Sequence, residues 1–294
     1  MIATVLSCNQ KKSADQLPVT EAQVDTAALK TDSIPHDSIS QNITYHYLPL
    51  DSILITQLKN KFSPENLRLV LALNRIDFEH VWRSDTLIVP DTFLTDTARY
   101  CPFPVELPLI TDIPKLILFS YYSQMFAAYE CGNLVRWGPT SMGKRSTPTP
   151  TGLSFTNWKA KQTISTENPD WKLSWYFNLD NSRGVSLHQY DLPGFPASHA
   201  CLRLYDEDAH WFYDWAEQWI LIDDHNIAAY GTPVIIFGAY PFGKRKPWLL
   251  LPQINTATHH TETELNEEIE NHLAVIEERK VTRDSVVAAK ASLL

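Results

Sequence analysis

From Lys115 onward the chain breaks into short apolar runs separated by turn residues, and this restricts its fold more than any other feature. Lys115-Leu116-Ile117-Leu118-Phe119-Ser120 and Gln124-Met125-Phe126-Ala127-Ala128-Tyr129-Glu130 read as strands. Cys131-Gly132-Asn133 reads as the turn of a hairpin into Leu134-Val135-Arg136-Trp137. Further strand-like runs lie at Trp175-Tyr176-Phe177, Val185-Ser186-Leu187-His188 and Val234-Ile235-Ile236-Phe237. One clear helix is expected from Glu207 to Trp219, with Ala209, Phe212, Trp215, Ala216 and Trp219 on one face. Residues 115–240 are therefore predicted to form a mainly β domain with one or two helices.

The flanks differ in character. Residues 43–91 read as a small α+β module. Ser52 to Phe62 has apolar residues at helical spacing, and Ser63-Pro64 opens a second helix through Leu67, Val70, Leu71 and Leu73. Thr86-Leu87-Ile88-Val89-Pro90 follows as a short strand. Residues 92–114, punctuated by Pro102, Pro104, Pro108 and Pro114, look like a linker wrapped on the next domain. The extension 241–294 carries an amphipathic helix whose apolar stripe is Leu265, Ile269, Leu273 and Ile276. That stripe suits packing on its own domain or binding a partner. Residues 1–42 are rich in Lys, Ser, Asp, Thr and Gln beyond Cys8, the composition of a polar tether.

Bulk properties exclude some functions. The 294 residues are 44% hydrophobic and 20% charged, enough to bury a core. A net charge of −9 argues against nucleic acid, whose binding rests on clustered cations. No apolar run is long enough for a membrane-spanning helix. The cysteines, Cys8, Cys101, Cys131 and Cys201, include no C-x-x-C pair, so no metal site is expected. His259-His260 reads as a solvated pair, and a disulfide between Cys101 and Cys131 is left open.

The chemistry gathers at Ser198-His199-Ala200-Cys201-Leu202-Arg203, with His188 upstream across the loop Asp191-Leu192-Pro193-Gly194-Phe195-Pro196-Ala197. A thiol beside imidazoles is suited to nucleophilic acyl transfer, because the thiolate attacks and a histidine carries the proton. On residue types alone, a buried structural cysteine fits equally well.

The run from His188 through Arg203 resembles the signature of the L,D-transpeptidase (YkuD-type) family: a histidine, a loop, then Ser/Thr-His-Gly-Cys. Gly138-Pro139-Thr140-Ser141-Met142-Gly143-Lys144 with Thr147-Pro148-Thr149-Pro150-Thr151-Gly152 resembles a second family segment, and Gly231-Thr232-Pro233-Val234-Ile235-Ile236 its closing strand. The resemblance implies a YkuD-like β-sandwich that acts on peptidoglycan stem peptides through a thioester, with no cofactor. It makes Cys201 the nucleophile and His188 the proton donor and acceptor, oriented by the backbone carbonyl of Gln189. Ser198, His199, Ala200 and Arg203 would support the site or the oxyanion. His199 and Arg203 also have purely structural readings, as a loop histidine and a salt bridge. Ala200 departs from the family glycine. If that position needs a positive φ, alanine costs on the order of 1 kcal/mol.

Two weaker resemblances concern the N-terminal half. Residues 43–91 resemble a LysM glycan-binding module, with a plain structural subdomain as the alternative. Val5-Leu6-Ser7-Cys8 resembles a lipobox, implying a lipid anchor on Cys8 and a periplasmic, membrane-tethered enzyme. The competing reading of the whole is a non-catalytic peptidoglycan-binding lipoprotein with a degenerate catalytic domain.

Overall fold

The computed structural model describes residues 43–165 and 168–292, so the tether and the Cys8 anchor lie outside the described residues. Its first unit is strand β1 (Tyr45–Pro49), helices α1 (Ser52–Lys61) and α2 (Pro64–Leu73), and strand β2 (Thr86–Pro90). β1 and β2 pair antiparallel, Tyr45 opposite Pro90. Asp51 caps α1 by accepting from the Leu54 amide, and Ser63 caps α2 by accepting from Asn66, with Pro64 at its first position. Leu58, Leu67, Val70, Ile76, Val81, Leu87 and Val89 form a local core. Leu69, Leu73 and Ile88 instead pack with Trp248 and Leu251 of the C-terminal extension. The unit therefore shares a core with the far end of the chain.

Two sheets build the central domain. Strands β3 (Leu116–Ser120), β4 (Met125–Glu130), β5 (Asn133–Pro139), β6 (Gly152–Phe155), β7 (Lys159–Ile164), β8 (Lys172–Asp180), β9 (Val185–Gln189) and β10 (Leu202–Leu204) are followed by helix α3 (Asp206–Trp215). The short strands β11 (Ile220–Leu221) and β12 (Ile227–Ala229) precede β13 (Pro233–Phe237). One sheet has the order β5-β4-β3-β13-β6 and the other β10-β9-β8-β7. The β4–β5 hairpin turns through Cys131 and Gly132 at φ 46° and 79°, the left-handed pair that suits the twist of a two-residue loop.

The sheets face each other. Ile117, Phe119, Phe126, Val234 and Ile236 of the first meet Phe177, Leu179, Leu187, Leu202 and Leu204 of the second, with Phe212 of α3 in the same core. The opposite face of the five-stranded sheet is also covered: Leu116, Leu118, Met125, Tyr129 and Ile235 pack against residues of the 101–113 segment and the extension. Strands buried on both faces lose polar alternation, which is why β3, β4 and β13 read as unbroken apolar runs. The outer face of the four-stranded sheet is left for the cleft described below.

The structure bears on several of these readings. In the 92–114 segment Tyr100, Cys101, Phe103, Leu107, Ile110 and Ile113 are all buried. Cys101 is a free buried thiol and so is not paired with Cys131. Helix α3 ends at Trp215 rather than Trp219, because Glu217 and Trp219 hydrogen-bond to Thr232 and Asn157 and draw the chain out of the helix. His260 is not solvated: its ring lies 5.0 Å from Phe103 and 5.2 Å from Phe237, and burial pushes it down to about 4. The last helix, α4 (Glu262–Ala291), starts at a capping box of Thr261 and Glu264 and buries Leu265, Ile269 and Ile276. No described helix is long and apolar enough to cross a membrane.

Candidate active site

Strand pairing places the reactive residues. β9 and β10 run parallel with Leu187 opposite Leu202 and His188 opposite Arg203. Side chains alternate along a strand, so Leu187, Leu202 and Leu204 point into the core while Ser186, His188 and Arg203 point outward. Cys201 directly precedes Leu202 and projects to the same outer face. The Cys201 Sγ lies 3.3 Å from Ser186 Oγ and 3.5 Å from the Gly184 carbonyl oxygen. Cys201 and His188 line one cleft of about 370 Å³. Trp158, Trp171, Tyr176 and Tyr190 wall it, and Arg183 and Arg203 are the charged side chains among its described lining residues.

The segment after β5 holds the loop that carries Cys201. Ser141 bridges Arg203, and Gly143 bridges Ser198. The Lys144 amide donates to the Ser198 carbonyl at 3.0 Å, and Thr147 Oγ1 reaches the same oxygen at 3.1 Å. Thr149 Oγ1 donates to the Ala200 carbonyl at 2.9 Å and accepts from the Gly143 amide at 2.8 Å. A Cβ on Gly143 would lie 2.3 Å from the Thr147 carbonyl oxygen, so only glycine fits this crossing. Ser198 Oγ donates to the Cys201 carbonyl at 2.6 Å and closes the loop on itself. Ala200 has φ 83°, the left-handed region that glycine adopts without penalty.

The two histidines have different surroundings. His188 is 3% exposed, and its Nδ1 donates to the Gln189 carbonyl at 2.9 Å, leaving Nε2 as the acceptor nitrogen. Burial first, and the Arg203 charge to a lesser degree, bring His188 down to about 4, although the Gln189 contact opposes them. The ring is therefore a neutral base at neutral pH. His199 meets Lys144 instead: Nζ donates to Nε2 at 2.6 Å, and Trp171 abuts the ring edge-on at 5.5 Å. That contact occupies the Nε2 lone pair. Arg203 stacks over Tyr190 at 4.5 Å and reaches the Asp191 carbonyl at 3.5 Å; burial lowers its pKa.

The loop from His188 to Ser198 is tied to the N-terminal unit. Ile76 bridges Pro193, the Asp77 amide donates to the Leu192 carbonyl at 2.9 Å, and Leu192 donates back to Asp77 Oδ2 at 2.7 Å. Tyr205 donates to the Ile76 carbonyl at 2.6 Å. Asp77, His80 and Asp191 bring ligand-type atoms within 4.8 Å of one another. The Asp77 oxygens are already engaged, by His80 and by the Leu192 amide, so this group reads as a hydrogen-bonded latch between the two units.

Sequence reasoning singled out Ser198, His199, Ala200, Cys201, Arg203, His188 and Gln189, and the structure brings them together. It passed over Ser186, Lys144 and the aromatic walls. Lys144 lay inside the Ser-Met-Gly-Lys segment, whereas Ser186 is visible only through the register of β9 against β10.

Residues 114–236 match the model of the YkuD family, the L,D-transpeptidase catalytic domain. The match contains every residue of the cleft and both main sheets except Phe237 at the end of β13. Among solved structures, the chain is similar to an L,D-transpeptidase from Stackebrandtia nassauensis, with 21% identity and a TM-score of 0.36 over 43% of this chain and 57% of that one. An L,D-transpeptidase from Mycobacterium smegmatis has 21% identity and a TM-score of 0.34, over 42% of this chain and 59% of that one. Mycobacterium tuberculosis L,D-transpeptidase 1 has 20% identity and a TM-score of 0.33, over 42% and 62%. The chain thus spans less than two thirds of the length of these structures. No curated protein matches it in sequence.

Proposed function

We propose that this protein is a cysteine-dependent L,D-transpeptidase acting on peptidoglycan stem peptides. The observation that carries the reading is the shared outer face of β9 and β10, which puts Cys201 and His188 in one aromatic-walled cleft. His188 Nε2 takes the thiol proton as Sγ attacks the carbonyl of the third stem residue. The bond to the terminal D-alanine breaks, its nitrogen recovers the proton from His188, and a thioester remains. An amine of a second stem then attacks, gives its proton to His188 and displaces the thiolate, forming a 3→3 cross-link. Water or a free D-amino acid in its place gives carboxypeptidase or exchange products. Backbone amides around Cys201 are the proposed oxyanion donors, worth about 2.7–4 kcal/mol each in comparable sites. Gln189 holds the His188 tautomer, and Arg203 offers a guanidinium to a substrate carboxylate.

Intact-mass spectrometry after incubation with a carbapenem tests the reading. A single adduct that disappears in Cys201→Ala is expected, together with 3→3 dimers or trimmed stems in muropeptide digests. Folded wild-type protein that gives neither adduct nor product would favour the non-catalytic peptidoglycan-binding reading.

The β-α-α-β order of the N-terminal unit supports glycan binding by a LysM-like module. Co-sedimentation with purified sacculi, competed by soluble oligosaccharides of the glycan strand, tests it. The Val5-Leu6-Ser7-Cys8 segment supports a lipid anchor and a periplasmic site of action. Labelling with an alkyne fatty acid that is lost in Cys8→Ala tests that.

A further inference from the structure

We infer that Ser186 is a catalytic residue of this site, its hydroxyl donating a hydrogen bond to the Cys201 sulfur and favouring the thiolate. The inference rests on the reading of Cys201 as the nucleophile.

The geometry comes from strand register. Ser186 precedes Leu187, and Cys201 precedes the Leu202 paired with it, so the two side chains stand next to each other on the outer face. Ser186 is fully buried, and its Oγ lies 3.3 Å from Cys201 Sγ, within the range for a hydrogen bond to sulfur. The thiol in turn has the Gly184 carbonyl at 3.5 Å as an acceptor. With the S–H turned to Gly184, the serine O–H is the donor left to the sulfur. When the proton leaves, the Gly184 contact is lost and the serine contact becomes charge-assisted and stronger. A hydroxyl that gains strength as charge develops on sulfur lowers the barrier to forming the nucleophile.

The rest of the cleft explains why such a donor matters. A cysteine paired with an imidazolium owes its thiolate to that cation. Here His188 is buried and neutral at pH 7, so the imidazole supplies a base and no positive charge. The other charged and titratable groups facing the sulfur from neighbouring elements are Arg203 of β10, Arg183 at the β8–β9 turn, His199, Tyr176 and Tyr190. Arg183 is paired with Asp180 at 2.6 Å, Arg203 lies over Tyr190, and His199 is held by Lys144. Removing the Ser186 hydroxyl changes none of these partners.

The test is the pH profile of Cys201 alkylation by iodoacetamide, followed on the Cys201 peptide by mass spectrometry, in wild type, Ser186→Ala and Ser186→Thr. The buried Cys101 peptide serves as the unreactive reference. Losing one hydrogen bond to a charged sulfur moves the midpoint up by about one pH unit, a tenfold loss of thiolate below the midpoint. Ser186→Ala is expected to show that shift, and Ser186→Thr, which keeps the hydroxyl, to follow wild type. An alanine profile coincident with wild type would overturn the inference. So would a threonine profile displaced upward from wild type by about one pH unit, an outcome read against wild type alone should the alanine variant not fold. The readout needs no peptide substrate. A shifted profile in a protein that makes no carbapenem adduct and no 3→3 product would keep the serine–sulfur contact and sink the proposed function. An unshifted profile in an active enzyme would do the reverse.

Discussion

Replacing Thr149 by valine removes a hydroxyl while keeping the shape of the side chain, and the structure says what that hydroxyl holds. It donates to the Ala200 carbonyl at 2.9 Å and accepts from the Gly143 amide at 2.8 Å. Thr149 is 3% exposed, so water does not readily replace either contact. Each buried polar group left unpaired costs about 1–3 kcal/mol, and because both sit on one crossing the losses are not fully additive. A destabilisation of roughly 3 kcal/mol is expected, which lowers the melting temperature of a domain of this size by about 6–12 °C. Thr149→Ser keeps the oxygen and loses one methyl group, for a cost below about 1 kcal/mol. Since the lost contacts anchor Ala200, the residue before Cys201, Thr149→Val should also slow carbapenem acylation of Cys201 well beyond Thr149→Ser. Differential scanning fluorimetry and adduct mass against time measure both effects. If valine and serine variants melt together and acylate at the same rate, the hydroxyl does not hold the loop and the reasoning fails.

Other consequences are open to measurement. Ala200→Gly relieves the left-handed backbone at φ 83° and should raise stability by roughly 0.5–1 kcal/mol, whereas Ala200→Val should lower it by about 2 kcal/mol in urea titrations; the reverse order would refute the strain. Asp77→Ala removes the acceptor for the Leu192 and His80 amides and should cost about 1–3 kcal/mol while slowing Cys201 acylation, since Leu192 belongs to the loop leading to Cys201; unchanged acylation would uncouple the N-terminal unit from the site. Burial of His188 depresses its pKa from 6.5 to about 4, so between those values the unfolded chain binds a proton that the native site does not. Stability from this group is complete above pH 6.5 and falls by on the order of 3 kcal/mol as pH drops to 4. Urea titrations at pH 7 and 4.5 should show a smaller loss in His188→Gln than in wild type.

What could be read from the sequence follows from which interactions are local. The β4–β5 hairpin was legible because Cys131-Gly132 carries its own turn geometry, and β3, β4 and β13 because burial on both faces leaves only apolar residues. β7, Lys-Ala-Lys-Gln-Thr-Ile, lies at the edge of its sheet and has no fully buried side chain, so nothing in its composition announces a strand. In the 92–114 segment the prolines mark a connection, but only the fold shows that the residues between them fill the back of the five-stranded sheet. In the site, Cys201 and His188 stand out by chemistry. The Ser186–Cys201 contact depends on the register of two strands across a loop, and the Lys144–His199 contact on a crossing of distant segments. Neither relation is written in spacing. Ala200 could be flagged as a departure, but only the backbone shows that its φ is positive.

Arg75 gives the module boundary a different meaning. Its guanidinium is 1% exposed, donates to the Ser123 carbonyl at 2.8 Å and to the Leu73 carbonyl, and lies 4.9 Å from the Trp248 ring. No carboxylate pairs with it among the described residues, and burial draws it down to about 9, which still leaves it charged at neutral pH. One cation is thus solvated jointly by the N-terminal unit, a turn of the β-sandwich and the C-terminal extension. A chimaera that replaced the N-terminal unit would strip Ser123 and Trp248 of their cation, and one that dropped the extension would open one side of the guanidinium's enclosure. In recombination terms the heritable unit is the whole assembly around this side chain, and grafting a foreign wall-binding module here requires carrying Arg75 and its three partners along with it.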